Sequence, residues 1–118
     1  MSVITISYES KKLQRLFADY GLILKKIGED KTKAIKKHMD RLKASPNFMS
    51  FIKLGLGHPH TLTGDLSGCY AIAVSGNVRL IVKPVCDALT PTELSVCTDI
   101  VVKGVVDYHG GKNEWLIP

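Results

Sequence analysis

The order of apolar and polar residues along the chain predicts a strand, two helices and then a set of strands. Residues 3–7 alternate apolar and polar side chains and are rich in β-branched types, which is typical of a short strand. From about Ser10, apolar residues recur at spacings of three and four, which predicts an amphipathic helix; they are Leu13, Leu16, Phe17, Tyr20, Ile23, Leu24 and Ile27. Gly21 is a position where this helix can bend, and Gly28 is placed to end it.

A second helix is predicted to follow directly, capped by Asp30 or Thr32. Its buried face comprises Ala34, Ile35, Met39 and Leu42, whereas its outward side carries Lys33, Lys36, Lys37 and Arg41. Because so few residues join the two helices, we expect them to pack as a hairpin. A short third helix is then predicted over residues 47–54, with Ser45 as its cap and Pro46 at the first helical position.

The second half of the chain is dominated by strand patterns. Residues 69–74 and 78–83 flank Ser75-Gly76-Asn77, which predicts a β-hairpin. A longer connection over residues 84–98, with a turn of helix near Glu93, leads to a strand over 99–109 in which Gly104 is a candidate bulge. Gly110-Gly111 is expected to end this strand and to leave a short tail. Helices and strands are thus segregated along the chain, which indicates an α+β fold with helices on one sheet face and the other face open to a partner.

Composition bounds the class of protein. The 118 residues, 45% hydrophobic and 23% charged, predict one globular domain over 1–118. No apolar run approaches the roughly 18 residues that a membrane span needs, and the N-terminus lacks the basic start and apolar stretch of a secretory signal. We therefore expect a cytoplasmic protein with no membrane association.

The net charge of +5 comes from one segment. Residues 25–43 hold eight basic and three acidic side chains, and the remainder has eight of each sign. Such a cluster is either a solvated helix face or a footprint for an anionic partner such as RNA.

Cysteine and histidine positions do not predict a metal site. Cys69, Cys86 and Cys97 match no metal or redox spacing, so they are interpreted as small hydrophobes. His58 and His60 lie in an irregular loop without another candidate ligand, and we expect them to be exposed to solvent.

Two strands carry the candidate chemistry. Arg79 and Lys83 share one face of their strand, and Asp107 and His109 share one face of another, with Tyr108 opposite. If both strands lie in one sheet, the cations and the carboxylate–imidazole pair can converge on one surface. RNA is cleaved without a metal when its 2′-hydroxyl attacks the adjacent phosphorus, and this reaction needs a base, an acid and positive charge on the phosphoryl oxygens.

Each of these residues also has a structural interpretation. The guanidinium of Arg79 suits a phosphate but equally suits a surface salt bridge. Asp107 can cap a strand end beside an exposed His109. Tyr108 can stack on a base, although its position opposite Asp107 and His109 favours a place in the core.

Three stretches together resemble a known family: Leu62-Thr63-Gly64-Asp65-Leu66-Ser67-Gly68, Gly76-Asn77-Val78-Arg79-Leu80, and Val106-Asp107-Tyr108-His109. In this order they resemble the HigB branch of the RelE/ParE toxin superfamily, over the chain from the first helix to His109. The resemblance implies a RelE-like fold, a curved antiparallel sheet packed against two N-terminal helices. It also implies the toxin of a type II toxin–antitoxin pair that cleaves mRNA on the ribosome without a metal or cofactor.

The resemblance further implies partners and site residues. A HigA-like antitoxin would neutralise the toxin, and operator DNA would be contacted only through their complex. Arg79 matches the strand arginine that faces the scissile phosphate, and Asp107, Tyr108 and His109 match the terminal motif, in which His109 is the candidate for proton transfer. Lys83 is a substrate-binding candidate from strand geometry alone, together with Tyr108.

The chain departs from the family pattern at Thr63 or Ser67, where relatives often have a basic residue, and in its longer 84–98 connection. Two alternatives therefore stay open. One is a ParE-like toxin that binds DNA gyrase without catalysis. The other is an inactive relative that acts only in a complex with antitoxin and DNA.

Overall fold

The computed structural model describes residues 3–109 and 111–118. Its elements, in chain order, are β1 (Thr5–Tyr8), α1 (Lys11–Ala18), α2 (Tyr20–Ile27), α3 (Glu29–Ala44), α4 (Phe48–Lys53), β2 (His60–Thr61), a 3₁₀ turn (Gly64–Leu66), β3 (Tyr70–Ser75), β4 (Val78–Pro84), α5 (Pro91–Ser95), β5 (Asp99–His109) and β6 (Lys112–Ile117). The α+β class is confirmed, as are the hairpin of β3 and β4, the short helices α4 and α5, and the long strand β5.

The described residues form a six-stranded sheet organised around β5. The strand order is β1-β5-β4-β3-β2, and β6 pairs with β5 on the side where β1 lies. All neighbouring pairs are antiparallel except β1 with β5, which is parallel. The short tail expected after Gly110-Gly111 contains a further strand, Lys112–Ile117, which was not predicted. Gly110, predicted to end β5, lies outside the described residues.

The first predicted helix is divided into α1 and α2 at Asp19. The Asp19 backbone is extended there, and its carboxylate accepts a hydrogen bond from the Gly21 amide at 3.0 Å. A side chain that caps a new helix satisfies an otherwise unpaired amide, so the chain restarts instead of continuing. Gly28 ends α2 at φ 89°, as predicted.

Two predicted caps were wrong. Gly28, and not Asp30 or Thr32, precedes the first residue of α3, and the Thr32 hydroxyl instead donates to the Gly28 carbonyl at 2.7 Å. Asn47, and not Ser45, caps α4 by accepting from the Ser50 amide. The helix starts differ from the predicted ones by two to four residues, where competing polar caps lie close together in sequence.

The main core lies between the helices and one face of the sheet. Fully buried side chains from both layers fill it, among them Leu13, Ile35, Leu42, Phe48, Phe51, Ile72, Leu80 and Val102. A smaller apolar cluster on the opposite face consists of Cys69, Ala71, Ile81 and Val106, with Leu62, Leu66 and Tyr108 packed against it. Within the described residues, no helix has the length and apolar character needed to cross a membrane.

Candidate functional site

Arg79 lies on the sheet face opposite the helices, which we call the second face. Arg79 pairs with Ala73 on β3 and with Val106 on β5. Directly paired residues of antiparallel strands point to the same side, and Val106 belongs to the apolar cluster of the second face. Tyr108 packs against the same cluster. Arg79 and Tyr108 therefore share a surface.

Asp107 and His109 point to the other side of β5, so the prediction that they converge with Arg79 on one face was wrong. Asp107 pairs with Val78, which belongs to the core beneath the helices. The cause is the bulge at Lys103-Gly104, where the register passes from Val82↔Val102 to Ile81↔Gly104. One added residue reverses which side chains face each side of the sheet. Without it, Arg79 would pair with residue 105 and share a face with residues 107 and 109.

Gly104 is the residue that permits this bulge. Its φ is 141°, a conformation that side chains rarely adopt, and a Cβ there would collide with the Ile117 carbonyl oxygen and lie 2.9 Å from the Trp115 ring. The candidate bulge of the sequence analysis is confirmed. Its effect on the faces could not be read from the pattern, because the alternation of residues 105–109 looks the same with and without it.

The guanidinium of Arg79 is oriented by the hairpin turn. Its Nη1 donates to the Gly76 carbonyl at 2.6 Å and to the Val78 carbonyl at 3.0 Å. Burial raises the pKa of Tyr108 from its ordinary value of 10.0, and the charge of Arg79 opposes that rise. At neutral pH the site therefore presents a neutral phenol beside a permanent cation.

A cleft of about 390 Å³ opens on the second face beside Tyr108. Its other lining residues come from β2 and the following loop, and from β6; they are His60, Thr61, Leu62, Thr63, Leu66 and Asn113. The lining combines hydroxyl, imidazole and amide groups with apolar side chains, a combination typical of sites that bind a polar ligand with an aromatic or apolar part. Thr63, one of the two positions where relatives often have a basic residue, lies at this cleft.

The position of His60 on the second face was not predicted. His60 is exposed, as expected, but it pairs with Ala71 and so points to the second face. In its neutral form, Nδ1–H donates to the His58 carbonyl at 3.1 Å, which leaves Nε2 as a proton acceptor. Strand β2 has only two residues, too few to produce an alternation, so the sequence carried no signal for this placement.

Asp107, His109 and Glu114 form a separate charged cluster at the end of β5. His109 Nδ1 lies 3.0 Å from Asp107 Oδ1, and Nε2 lies 3.5 Å from Glu114 Oε2. The hydrogen bond and charge of Asp107 raise the pKa of His109 above 6.5, with a smaller contribution from Glu114. The predicted contact between Asp107 and His109 is thus present, and it favours the protonated imidazole near neutrality.

Two lysines lie on the second face at its other end. Lys83 is exposed, and Lys103 forms an ion pair of 3.0 Å with Glu9. Both cations act to lower the pKa of the Cys69 thiol, although its burial raises that pKa more strongly. Lys83 thus shares the face of Arg79, as the strand spacing predicted.

The basic side chains of α3 lie away from this surface. Lys33, Lys36, Lys37 and Arg41 are exposed, whereas the opposite side of α3 packs into the core beneath the sheet. These cations and the cleft are therefore on opposite sides of the molecule. In the described ranges 3–109 and 111–118, no group of three or more His, Cys, Asp or Glu side chains is placed to hold a metal ion.

Comparison with known proteins identifies the fold. No family model matches the chain, and no curated protein matches its sequence. The chain is similar to a solved YoeB–YefM complex from Staphylococcus aureus, with 19% identity, 90% of this chain and 97% of that chain covered, and a TM-score of 0.53. The fold is that of the YoeB toxins.

Two further structures agree. A YoeB dimer from Staphylococcus aureus is 17% identical, with 92% of this chain and 99% of that chain covered and a TM-score of 0.52. A YoeB/ParE toxin from Agrobacterium tumefaciens is 14% identical, with 90% of this chain and 100% of that chain covered and a TM-score of 0.55. These neighbours confirm the expected RelE/YoeB-type architecture, and assignment to the HigB branch stays a prediction.

Proposed function

We propose that this chain is the toxin of a type II toxin–antitoxin pair and cleaves mRNA on the ribosome without a metal. The observation that carries the proposal is the second-face cleft, which is lined by His60 and Tyr108 and is open to solvent, with Arg79 on the same face of the sheet. The shared fold with YoeB toxins supports the class of protein, and the resemblance to HigB toxins supports the reaction.

In the proposed reaction, the scissile phosphodiester lies against the second face. Arg79 stabilises the charge that develops on the phosphoryl oxygens, with Lys83 further along the RNA backbone. Tyr108 contacts the adjoining base or sugar from within the cleft. His60 Nε2 is oriented as a base toward the 2′-hydroxyl, because its Nδ1–H is engaged by the His58 carbonyl.

The pair of Asp107 and His109 supplies the acid in this proposal. The raised pKa of His109 keeps its imidazole protonated near neutrality, which suits transfer of a proton to the departing 5′-oxygen. Since its side chain points away from Arg79, this role requires the RNA to pass over the end of β5.

Mapping of mRNA ends on translating ribosomes tests the reaction. Attack by the 2′-oxygen leaves a 2′,3′-cyclic phosphate and a 5′-hydroxyl, so we expect those ends with the purified parent protein. His60→Gln and His109→Gln should each lose most cleavage, whereas His58→Gln, an exposed neighbour, should cleave like the parent. Intact mRNA with the parent protein would remove the nuclease. Full activity in His109→Gln would remove only its role as the acid.

We also propose a HigA-like antitoxin as the partner that neutralises the toxin. Expression of the chain alone should arrest growth, and co-expression of the adjacent reading frame should restore it. Unimpaired growth would favour an inactive relative that acts only in an antitoxin–DNA complex.

A ParE-like toxin that binds gyrase is the second candidate. The location of Arg79 and His109 on opposite faces favours it, because a non-catalytic binder does not need them together. Inhibition of gyrase supercoiling by the purified protein, without mRNA cleavage, would support this candidate over the nuclease.

A further inference from the structure

Two of the three cysteines lie side by side where β4 ends and β5 begins. The antiparallel pairing continues past Pro84↔Ile100, because the Val85 amide donates to the Asp99 carbonyl at 2.8 Å. Cys86 follows Val85 directly, and Cys97 precedes Asp99 by two residues. The backbone pairing of Val85 with Asp99 therefore brings the two cysteines close together. Cys97 is among the groups that raise the pKa of the Cys86 thiol, in keeping with the closeness of the two side chains.

Backbone contacts fix both sulfur atoms. The Cys97 Sγ lies 3.7 Å from the Val85 carbonyl oxygen and 3.5 Å from that of Asp99. The Cys86 Sγ lies 3.3 Å from the Ala88 carbonyl oxygen. The Cys97 thiol is thus held against the residue that precedes Cys86, whereas the Cys86 thiol contacts its own segment. The position of Cys97 limits the movement needed to join the two sulfur atoms.

The two thiols differ in access. Cys97 is buried, with 3% of its surface exposed, whereas Cys86 is partly exposed. Cys69 is buried in the separate cluster of the second face. A dissolved reagent therefore reaches Cys86 first, and Cys97 is the nearby thiol that can complete the reaction.

We propose that Cys86 and Cys97 form a reversible disulfide site that is oxidised by small disulfides such as oxidised glutathione. The Cys86 thiolate attacks one sulfur of the reagent, whose S–S bond breaks and releases one small thiol. The Cys97 thiolate then attacks the Cys86 sulfur and displaces the second small thiol. Two protein thiols are oxidised, the reagent is reduced to two thiols, and the two protons lost by the cysteines are taken up by the released thiolates.

Burial and the neighbouring Cys97 raise the pKa of the Cys86 thiol above 9.0. The rate of the first step should therefore increase as the pH rises toward that pKa, because the thiolate is the attacking species. The product would close a loop around α5 and restrict the unfolded chain, which stabilises the folded protein.

The test uses the full reduced chain incubated with oxidised glutathione, followed by peptide mapping without reductant. We expect one linked pair, Cys86 with Cys97, a higher midpoint of thermal unfolding, and reversal of both by dithiothreitol. Cys69→Ser should give the same link. In Cys97→Ser, glutathione should remain attached to Cys86.

Three results would overturn the proposal. The first is a link that includes Cys69 as often as the other two cysteines. The second is stable glutathione on Cys86 while Cys97 is present and unmodified. The third is no modification of Cys86 at alkaline pH. The unmodified parent sequence carries the decisive measurement, so the outcome does not depend on whether a buried serine variant folds.

Discussion

Replacing Gly104 by alanine tests whether the bulge of β5 determines the second face. The residue has φ 141°, and the new Cβ would collide with the Ile117 carbonyl oxygen and crowd the Trp115 ring. Strained backbone of this kind costs about 1–3 kcal/mol, and forced displacement of packed neighbours costs about 1–3 kcal/mol more. We therefore expect a loss of about 2–6 kcal/mol in the free energy of unfolding.

Gly55→Ala is the matched control. Gly55 also has a positive φ, 71°, but no atom lies within 4 Å of a Cβ placed there. Its substitution therefore carries only the backbone penalty, about 1–2 kcal/mol. Urea unfolding of the parent and both variants measures the loss of unfolding free energy in each variant. The slopes of free energy against urea concentration are compared with that of the parent, so that a change in unfolding behaviour is detected.

An excess loss in Gly104→Ala supports the close approach of β6 to the bulge. Equal losses in the two variants would refute the reasoning, because the collision with Ile117 and Trp115 would then contribute nothing.

Two further predictions concern histidines. Burial lowers the pKa of His38, whose Nε2 lies 2.8 Å from the Ala73 carbonyl oxygen. The unfolded state then binds more protons between the two pKa values, so stability should fall as the pH drops below about 6.5 and level off below the folded pKa. His38→Gln should flatten this dependence in urea unfolding at several pH values, and superimposable profiles would contradict it. For His109, Asp107→Asn should lower the pKa measured by NMR toward about 6.5, and Glu114→Gln should lower it less, since Glu114 is the smaller cause. An unchanged pKa in Asp107→Asn would contradict the assigned contact.

Local patterns predicted most of the fold. The hairpin was predicted because Gly76-Asn77 separates two β-branched runs, and α5 because Pro91 begins a short polar segment. A bend of the first helix was predicted at Gly21, but its full break at Asp19 was not, because the apolar spacing of three and four continues through Asp19. Strand β6 was missed because its pairing partner, β5, is what makes residues 112–117 extended.

The candidate site was predicted only in part. Pleat alternation correctly placed Arg79 with Lys83 and Asp107 with His109, because it acts within one strand. Whether the two pairs meet depends on the register between β4 and β5. The one-residue bulge at Gly104 shifts this register, so that Asp107 and His109 point to the face opposite Arg79. The position of His60 depends on the pairing of β2 with β3, which is distant in sequence. Strand β2 has only two residues, so its sequence shows no alternating pattern that could predict the face of His60.

The central claim is that RNA is cleaved on the second face of the sheet, and paired arginine variants test it most directly. Arg79 lies on that face, and Arg41 is exposed on α3 on the opposite side of the molecule. With translating ribosomes and equal amounts of folded protein, we expect Arg79→Ala to lose at least about a hundredfold in cleavage rate, comparable to loss of an oxyanion donor. Arg41→Ala should cleave within about fivefold of the parent if its contacts are only to solvated phosphates, each worth about 1 kcal/mol or less. Cleavage by Arg79→Ala at the rate of the parent, or an equal loss in both variants, would contradict the account.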